Sequence, residues 1–296
     1  MTAARCAVNV PGHGAPAQRS PMSRHFPDQT RFVPAAEAEV RPAATVMLLR
    51  EAPTGFEVFM MKRTSRIDFG GLHVFPGGKV HHEDAHGAMA AHCAGLSDAE
   101  ASRRLGLAED GLAFWVAAIR ECFEEAGVLL AYGPDGDLVR AGKARWAAGL
   151  ARLRDELNAG ARSFLEVCRA TDMQLAVDRV AYFSHWLTPE GPPRRYDTRF
   201  FVALAPAQQE GVHDDSELVA SGWVRPADAL DARRRGEIEM IHPTFVTLEA
   251  LTAWDDVDRL LADVAARRHL ALVTPDEALG REGLQAPVEP GADGAS

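Results

Sequence analysis

Three carboxylates stand within five positions in the run Arg120-Glu121-Cys122-Phe123-Glu124-Glu125-Ala126-Gly127-Val128, just before a glycine that reads as a helix stop. At roughly 100° per residue, Glu125 and Glu124 lie ~40° and ~60° to either side of Glu121, opposite Ile119, Phe123 and Ala126. The acids therefore form one stripe. By itself the stripe is unfavourable: like charges at these spacings cost a few tenths of a kcal/mol each, and carboxylates in a last turn oppose the helix dipole by ~0.3–1 kcal/mol. A solvated acidic face beside Arg120 is one account of it. A bound divalent cation is the other, because oxygen-rich carboxylate clusters hold Mg²⁺ or Mn²⁺ and their repulsion then becomes attraction to the metal.

What stands upstream favours the second account. Phe75-Pro76-Gly77-Gly78 is followed by an acid at Asp84, and the paired glycines let the backbone approach a metal or phosphate closely. His81, His82, His86 and His92 lie close by in sequence, with His82 and His86 spaced for one helix face. They read as solvated positions rather than as a dedicated transition-metal site.

The elements that must position these groups can be read from periodicity. Residues 44–50 and 56–63 form a hairpin around a Pro/Gly turn, and 73–79 a short strand running into the glycine loop. Leu112, Trp115, Val116, Ile119, Phe123 and Ala126 share one face of a helix that begins near Asp110 and carries the acids. Ser97 and Glu100 form a capping box, so 85–109 read as a helical insert. Further helices are expected at 143–158 and 161–170, strands at 178–188, 196–205 and 217–224, and helices at 226–235, 243–254 and 256–269. Strands with interleaved helices and a mostly antiparallel pattern give an α/β or α+β layered fold. The organisation expected is a tail over 1–40, a folded domain over 41–282 with helical inserts at 85–109 and 143–170, and a second tail over 283–296.

A chain of 296 residues with a formal net charge of -10 is badly suited to a non-specific hold on nucleic acid or an anionic membrane. Its four cysteines, Cys6, Cys93, Cys122 and Cys168, form no CxxC pair, which fits a reducing compartment. No apolar run approaches the ~20 residues that span a bilayer, and the N-terminus lacks a secretory apolar core. The localisation expected is cytoplasmic.

The order of these residues resembles the signature of the Nudix hydrolases. Gly78, five residues and Asp84 match its first part, with Asp where the family has Glu, and Arg120 to Val128 match its last part in full. The departure is the spacer: residues 85–119 number 35 where the signature has seven, an insertion of 28. Such an insertion, with His73-Val74-Phe75-Pro76-Gly77-Gly78 before it and the segment 185–204 after it, resembles the CoA and acyl-CoA diphosphatase branch. The likeness runs from about 43 to 254. An Arg-rich run before the glycine loop is only partly matched, by Arg63, Arg66 and Gly71. The chain ends Gly-Ala-Ser rather than in a peroxisomal Ser-Lys-Leu type of address, in keeping with the cytoplasmic expectation.

The resemblance implies an α/β/α sandwich around a mixed sheet, with the helical insert inside the signature and extra C-terminal helices. It also implies metal-dependent hydrolysis of a nucleoside diphosphate derivative, CoA or acyl-CoA first, with a small nucleotide as the partner. On that basis Glu121 and Glu125 are expected as Mg²⁺ or Mn²⁺ ligands, Glu124 as a third ligand or base, and the Gly77 carbonyl as completing the shell. Arg120 orients the acids, Asp84 structures the loop, and Glu217 is a further acid from the segment around Asp214 and Asp215. Gly78, Arg63, Arg66, Arg194, Arg195 and Arg199 are expected at the substrate, where Arg forks onto phosphate. ADP-ribose, NADH or a dinucleoside polyphosphate are alternative substrates, and a nucleotide-sensing module without catalysis is the alternative class.

Overall fold

The computed structural model describes residues 39–64, 71–140, 144–190, 194–207, 209, 211, 218–266 and 272–273. Of the tails expected over 1–40 and 283–296, only Glu39 and Val40 are among the described residues, and Val40 opens the first strand; Arg66, Asp214, Asp215 and Glu217 lie outside the described residues.

The first strands, β1 (Val40–Glu51) and β2 (Phe56–Arg63), form the expected hairpin, closed at Gly55 with φ +77°. Two short strands follow, β3 (His73–Val74) and β4 (Gly77–Lys79), the latter antiparallel to β1. The insert comprises two 3-10 turns, His82–Ala85 and Gly87–His92, and helix α1 (Asp98–Leu105). As the sequence predicts, the Ser97 hydroxyl caps α1 by accepting from the Glu100 amide, and Gly106 ends it at φ +69°. His86 lies between the two turns with extended backbone, so His82 and His86 share no helix face.

The acid-bearing helix is α2 (Leu112–Ala126), stopped by Gly127 at φ +67°. After it come β5 (Ala131–Tyr132), α3 (Ala144–Asn158), α4 (Phe164–Thr171) and β6 (Gln174–Leu175), with β5 and β6 paired as a small separate sheet. The chain then returns through β7 (Val180–Leu187), β8 (Arg195–Leu204), β9 (Leu218–Val224), α5 (Pro226–Arg234), α6 (His242–Leu251), α7 (Val257–Ala266) and β10 (Leu272–Val273).

The main sheet is mixed, with order β10-β7-β8-β1-β2-β3, β4 attached to β1 and β9 to β2. Its central pair is parallel, β1 against β8 from Val40↔Arg195 to Leu49↔Leu204. The antiparallel pattern read from the sequence misses this pair, since a parallel partner arrives by a long crossover that leaves no local trace. Helices cover both faces. Trp115, Ile119 and Phe123 of α2 pack with residues of α1, α3 and α4 on one side, while Leu248, Leu251 and Leu260 of α6 and α7 pack against Met47, Val58 and Val202 on the other. This is the expected three-layer arrangement. Fully burying a side chain such as Ile119 or Phe123 contributes roughly 1.5–3 kcal/mol, so α2 is held by packing and not by its acid-laden last turn.

Candidate active site

Helix α2 has an apolar stripe, as its periodicity predicts, but its other face is buried at Arg120 and Glu121 and half-buried at Glu124 and Glu125. Arg120 and Glu121 are only 4% and 8% exposed, because β4 and the turn His82–Ala85 pack over them. Gly78 makes this approach possible: a Cβ there would lie 2.4 Å from Glu121 Oε1. A Cβ on Gly77 would lie 2.6 Å from the Ala44 carbonyl oxygen. Both glycines are thus required by contact.

Arg120 organises the cluster. Its Nε and Nη2 donate to Asp84 Oδ1 and Oδ2 at 2.9 Å each, its Nη1 donates to Glu121 Oε1 and Glu124 Oε2 at 2.8 Å each, and Nη2 also donates to the Lys79 carbonyl at 2.8 Å. A planar fork of donors serves this many acceptors where a Lys ammonium could not. Asp84 Oδ2 further accepts from the His81 amide at 2.7 Å, tying the turn to the cluster. Glu125 points to the glycine loop, where its Oε2 accepts from the Gly77 amide at 2.8 Å.

Four carboxylates, Asp84, Glu121, Glu124 and Glu125, gather around the single Arg120 guanidinium and the glycine loop. Burial pushes the Glu124 carboxyl up to about 7; Arg120 opposes this and the Glu121 charge adds to it. Burial likewise raises Glu121, with partial relief from Arg120 and His81. Burial works against the Arg120 cation, yet the bond to Asp84 and the charges of Glu121, Asp84 and Glu124 outweigh it and hold the guanidinium firmly protonated.

Among the described residues no three His, Cys, Asp or Glu side chains are gathered as a ready cation site. The contacts account for this, since Arg120 and the Gly77 amide engage oxygens of all three helix acids. The donor set nevertheless fits a hard divalent cation in chemistry and in electrostatics: it consists of oxygen ligands and carries more carboxylates than Arg120 alone can offset.

The expected substrate arginines are placed less uniformly. Arg199 lies on β8, in register with Ala44 and through it with Gly78, but it is 4% exposed. Its Nη1 donates to the Leu105 carbonyl at 3.2 Å and its Nε stands 3.2 Å from Asp197 Oδ1, too poorly aligned for a hydrogen bond. The arginine therefore pins α1 to the sheet. Arg195 donates to the Thr188 carbonyl at 3.1 Å, Arg194 is exposed, and Arg63 ends β2 beside β9.

Sequence reasoning missed the groups that hold the two ends of α2. Asp98 of α1 accepts from the Leu112 amide at 2.9 Å and the Asp110 amide at 3.2 Å, and Ser102 Oγ accepts from the Gly111 amide at 2.9 Å. A carboxylate at a helix N-terminus satisfies open N–H groups and suits the dipole. At the other end, Arg154 and Asn158 of α3 donate to the Glu124 and Glu125 carbonyls. Gln209 fixes the exit by bonding Leu129 N, Leu129 O and Val139 O. The Ser97-Glu100 spacing locates α1, although the Glu100 carboxylate accepts from Arg103 and Arg104 and only the Ser97 half of the expected capping box forms; nothing local in sequence shows that the residue after Ser97 reaches α2.

The family model described as the NUDT19 Nudix domain matches residues 90–251. The chain is 31% identical over 242 residues to acyl-coenzyme A diphosphatase NUDT19 of Homo sapiens, covering 71% of this chain and 64% of that protein, so it spans just under two thirds of that relative's length. It is 29% identical over 276 residues to the Gallus gallus protein of the same name, covering 81% and 72% respectively. Among solved structures it is similar to the NUDIX hydrolase from Alicyclobacillus acidocaldarius, with a TM-score of 0.60, 25% identity and coverage of 76% of this chain and 97% of that one. With a family match over more than half its length, the chain belongs to the Nudix family, in the group of the NUDT19 Nudix domain.

Proposed function

We propose that the chain hydrolyses the pyrophosphate of a nucleoside diphosphate derivative, CoA or acyl-CoA in the first place, giving 3′,5′-ADP and (acyl-)4′-phosphopantetheine. The observation that carries this reading is the cluster of the buried Asp84 and Glu121 and the half-buried Glu124 on Arg120, with Glu125 held by the glycine loop at Gly77. The acyl-coenzyme A diphosphatase names of the relatives support the substrate class. A cytoplasmic setting remains part of the proposal, and no helix among the described residues is long and apolar enough to cross a membrane.

Glu121, Glu124 and Glu125, with the Gly77 carbonyl, would hold Mg²⁺ or Mn²⁺. When bound, such a metal lowers the pKa of water and neutralises phosphate oxygens. Glu124, held beside Arg120 Nη1, would serve as the third ligand or as the base for the water. Arg120 and Asp84 keep the acids in register, and Gly78 keeps the backbone close to Glu121. Arg63, Arg194 and Arg195 remain the proposed readers of substrate phosphate, whereas Arg199 is engaged inside the fold.

The test is incubation of the purified chain with CoA, acetyl-CoA and 3′-dephospho-CoA, with and without Mg²⁺ or Mn²⁺, followed by product identification. Metal-dependent release of 3′,5′-ADP from CoA supports the reading, and faster cleavage of CoA than of its dephospho form supports the phosphate-reading arginines. Cleavage of ADP-ribose or NADH with CoA left intact overturns the substrate.

A further inference from the structure

The last turn of α2 carries Glu124 and Glu125 and no Lys, Arg or His, so its open carbonyls and its dipole must be met from elsewhere. Gly127 N returns to the Phe123 carbonyl at 3.0 Å, which leaves the next two carbonyls outside the helix's own ladder. A single side chain serves both. Arg154 of α3 donates from Nε to the Glu124 carbonyl at 2.9 Å and from Nη2 to the Glu125 carbonyl at 2.8 Å, and Asn158 adds a 3.3 Å bond to the Glu124 carbonyl. These are the backbones of two of the three helix acids. From those backbones the side chains reach their own partners, Glu124 to Arg120 and Glu125 to the Gly77 amide.

We propose that Arg154 is a positioning residue: its two-pronged grip on the Glu124 and Glu125 carbonyls sets where their carboxylates stand. It lies outside the signature, and its positive charge offsets the dipole penalty that the crowded acids impose. This deepens the proposed function, on which the metal part of its test rests. The fork is the essential feature, because a guanidinium presents two coplanar donors to two carbonyls while an ammonium presents a point charge on a flexible stem. Loosening the last turn would release the Glu125 carboxylate from Gly77, so the Gly77 amide reports the effect without any metal.

The experiment compares the wild-type chain with Arg154→Ala and Arg154→Lys by hydrogen exchange at the Gly77 amide and by Mn²⁺ affinity, read from the electron paramagnetic resonance of free Mn²⁺ without substrate. In Arg154→Ala, Gly77 exchange is expected to rise about tenfold or more and Mn²⁺ affinity to fall about 10–100-fold, as for loss of other groups that orient metal ligands. The amide of Ala205, bonded to the Leu49 carbonyl further along β1, should exchange as in wild type, which separates positioning from general loosening. Arg154→Lys is expected to recover only part of both effects. Wild-type Gly77 exchange together with wild-type Mn²⁺ affinity in Arg154→Ala overturns the proposal. If that variant does not fold, the same result in Arg154→Lys overturns it equally. A wild-type chain that binds no Mn²⁺ and cleaves nothing sinks the proposed function, and Gly77 exchange in the variants still decides the positioning.

Discussion

Arg120 and Asp84, 36 positions apart, meet through two hydrogen bonds of 2.9 Å each. The pair closes the chain across the insertion, so the two halves of the signature come together although 35 residues separate them. It also explains how Asp can stand where the family has Glu: the turn His82–Ala85 brings the shorter carboxylate directly onto the guanidinium. Removing Arg120 would leave the buried Asp84 and Glu121 and the half-buried Glu124 without their shared counter-charge. Arg120→Met is expected to cost about 3–5 kcal/mol of unfolding free energy in urea denaturation. A cost below about 1 kcal/mol, as for a surface pair, would contradict the hub.

Gly78→Ala places a methyl group 2.4 Å from Glu121 Oε1 and 2.7 Å from its Oε2. The Glu121 carboxylate is fixed by Arg120, so it must turn away. We expect a fall in kcat/KM on the order of 10²-fold from this displacement, in a variant that keeps its helical circular dichroism. Activity at the wild-type level would mean that Glu121 is not needed where it stands.

Glu124 gives the metal-free protein a pH signature. Its carboxyl titrates at about 7 in the folded chain against a reference of 4.5, so between these values the native state holds a proton that the unfolded state has released. The resulting stability is complete below pH 4.5 and is lost as pH rises through about 7, a change on the order of 3 kcal/mol. Thermal melts of wild type and Glu124→Gln from pH 4.5 to 8 should differ by this slope, and Mg²⁺ or Mn²⁺ should remove much of the difference. Parallel curves for the two proteins would refute the assignment.

The insertion anchors α2 through Asp98 and Ser102, and Arg199 ties α1 to the sheet through the Leu105 carbonyl. Asp98→Ala should cost about 1–2 kcal/mol, the usual worth of a helix cap, with Asp98→Asn closer to wild type. Equal stability of Asp98→Ala and wild type in urea would show that the insert does not support the helix.

Much of this was legible in sequence because it is local. The hairpin, α1 with its Ser97 cap and α2 with its Gly127 stop follow from periodicity and turn chemistry within short windows, while the meeting of the acids with the glycine loop is what the resemblance to the Nudix signature implies. The parallel pairing of β1 with β8 and the burial of the acid stripe under β4 are tertiary, and no local pattern records them. Arg199 shows the same limit: among arginines in a polar stretch it reads as a phosphate ligand, yet it is buried against Leu105 and Asp197. Arg154 went unseen because a carbonyl partner 30 residues away leaves no motif.

The central claim is that the acids around Arg120 and Gly77 carry a metal-dependent hydrolysis, and Glu124→Gln and Glu125→Gln test it most directly. Each variant and the wild type would be assayed for 3′,5′-ADP release from CoA at saturating Mg²⁺, with unfolding curves recorded on the same preparations. The account predicts folded variants that have lost at least about 10³-fold in turnover. Folded variants that both turn over CoA at the wild-type rate would contradict it.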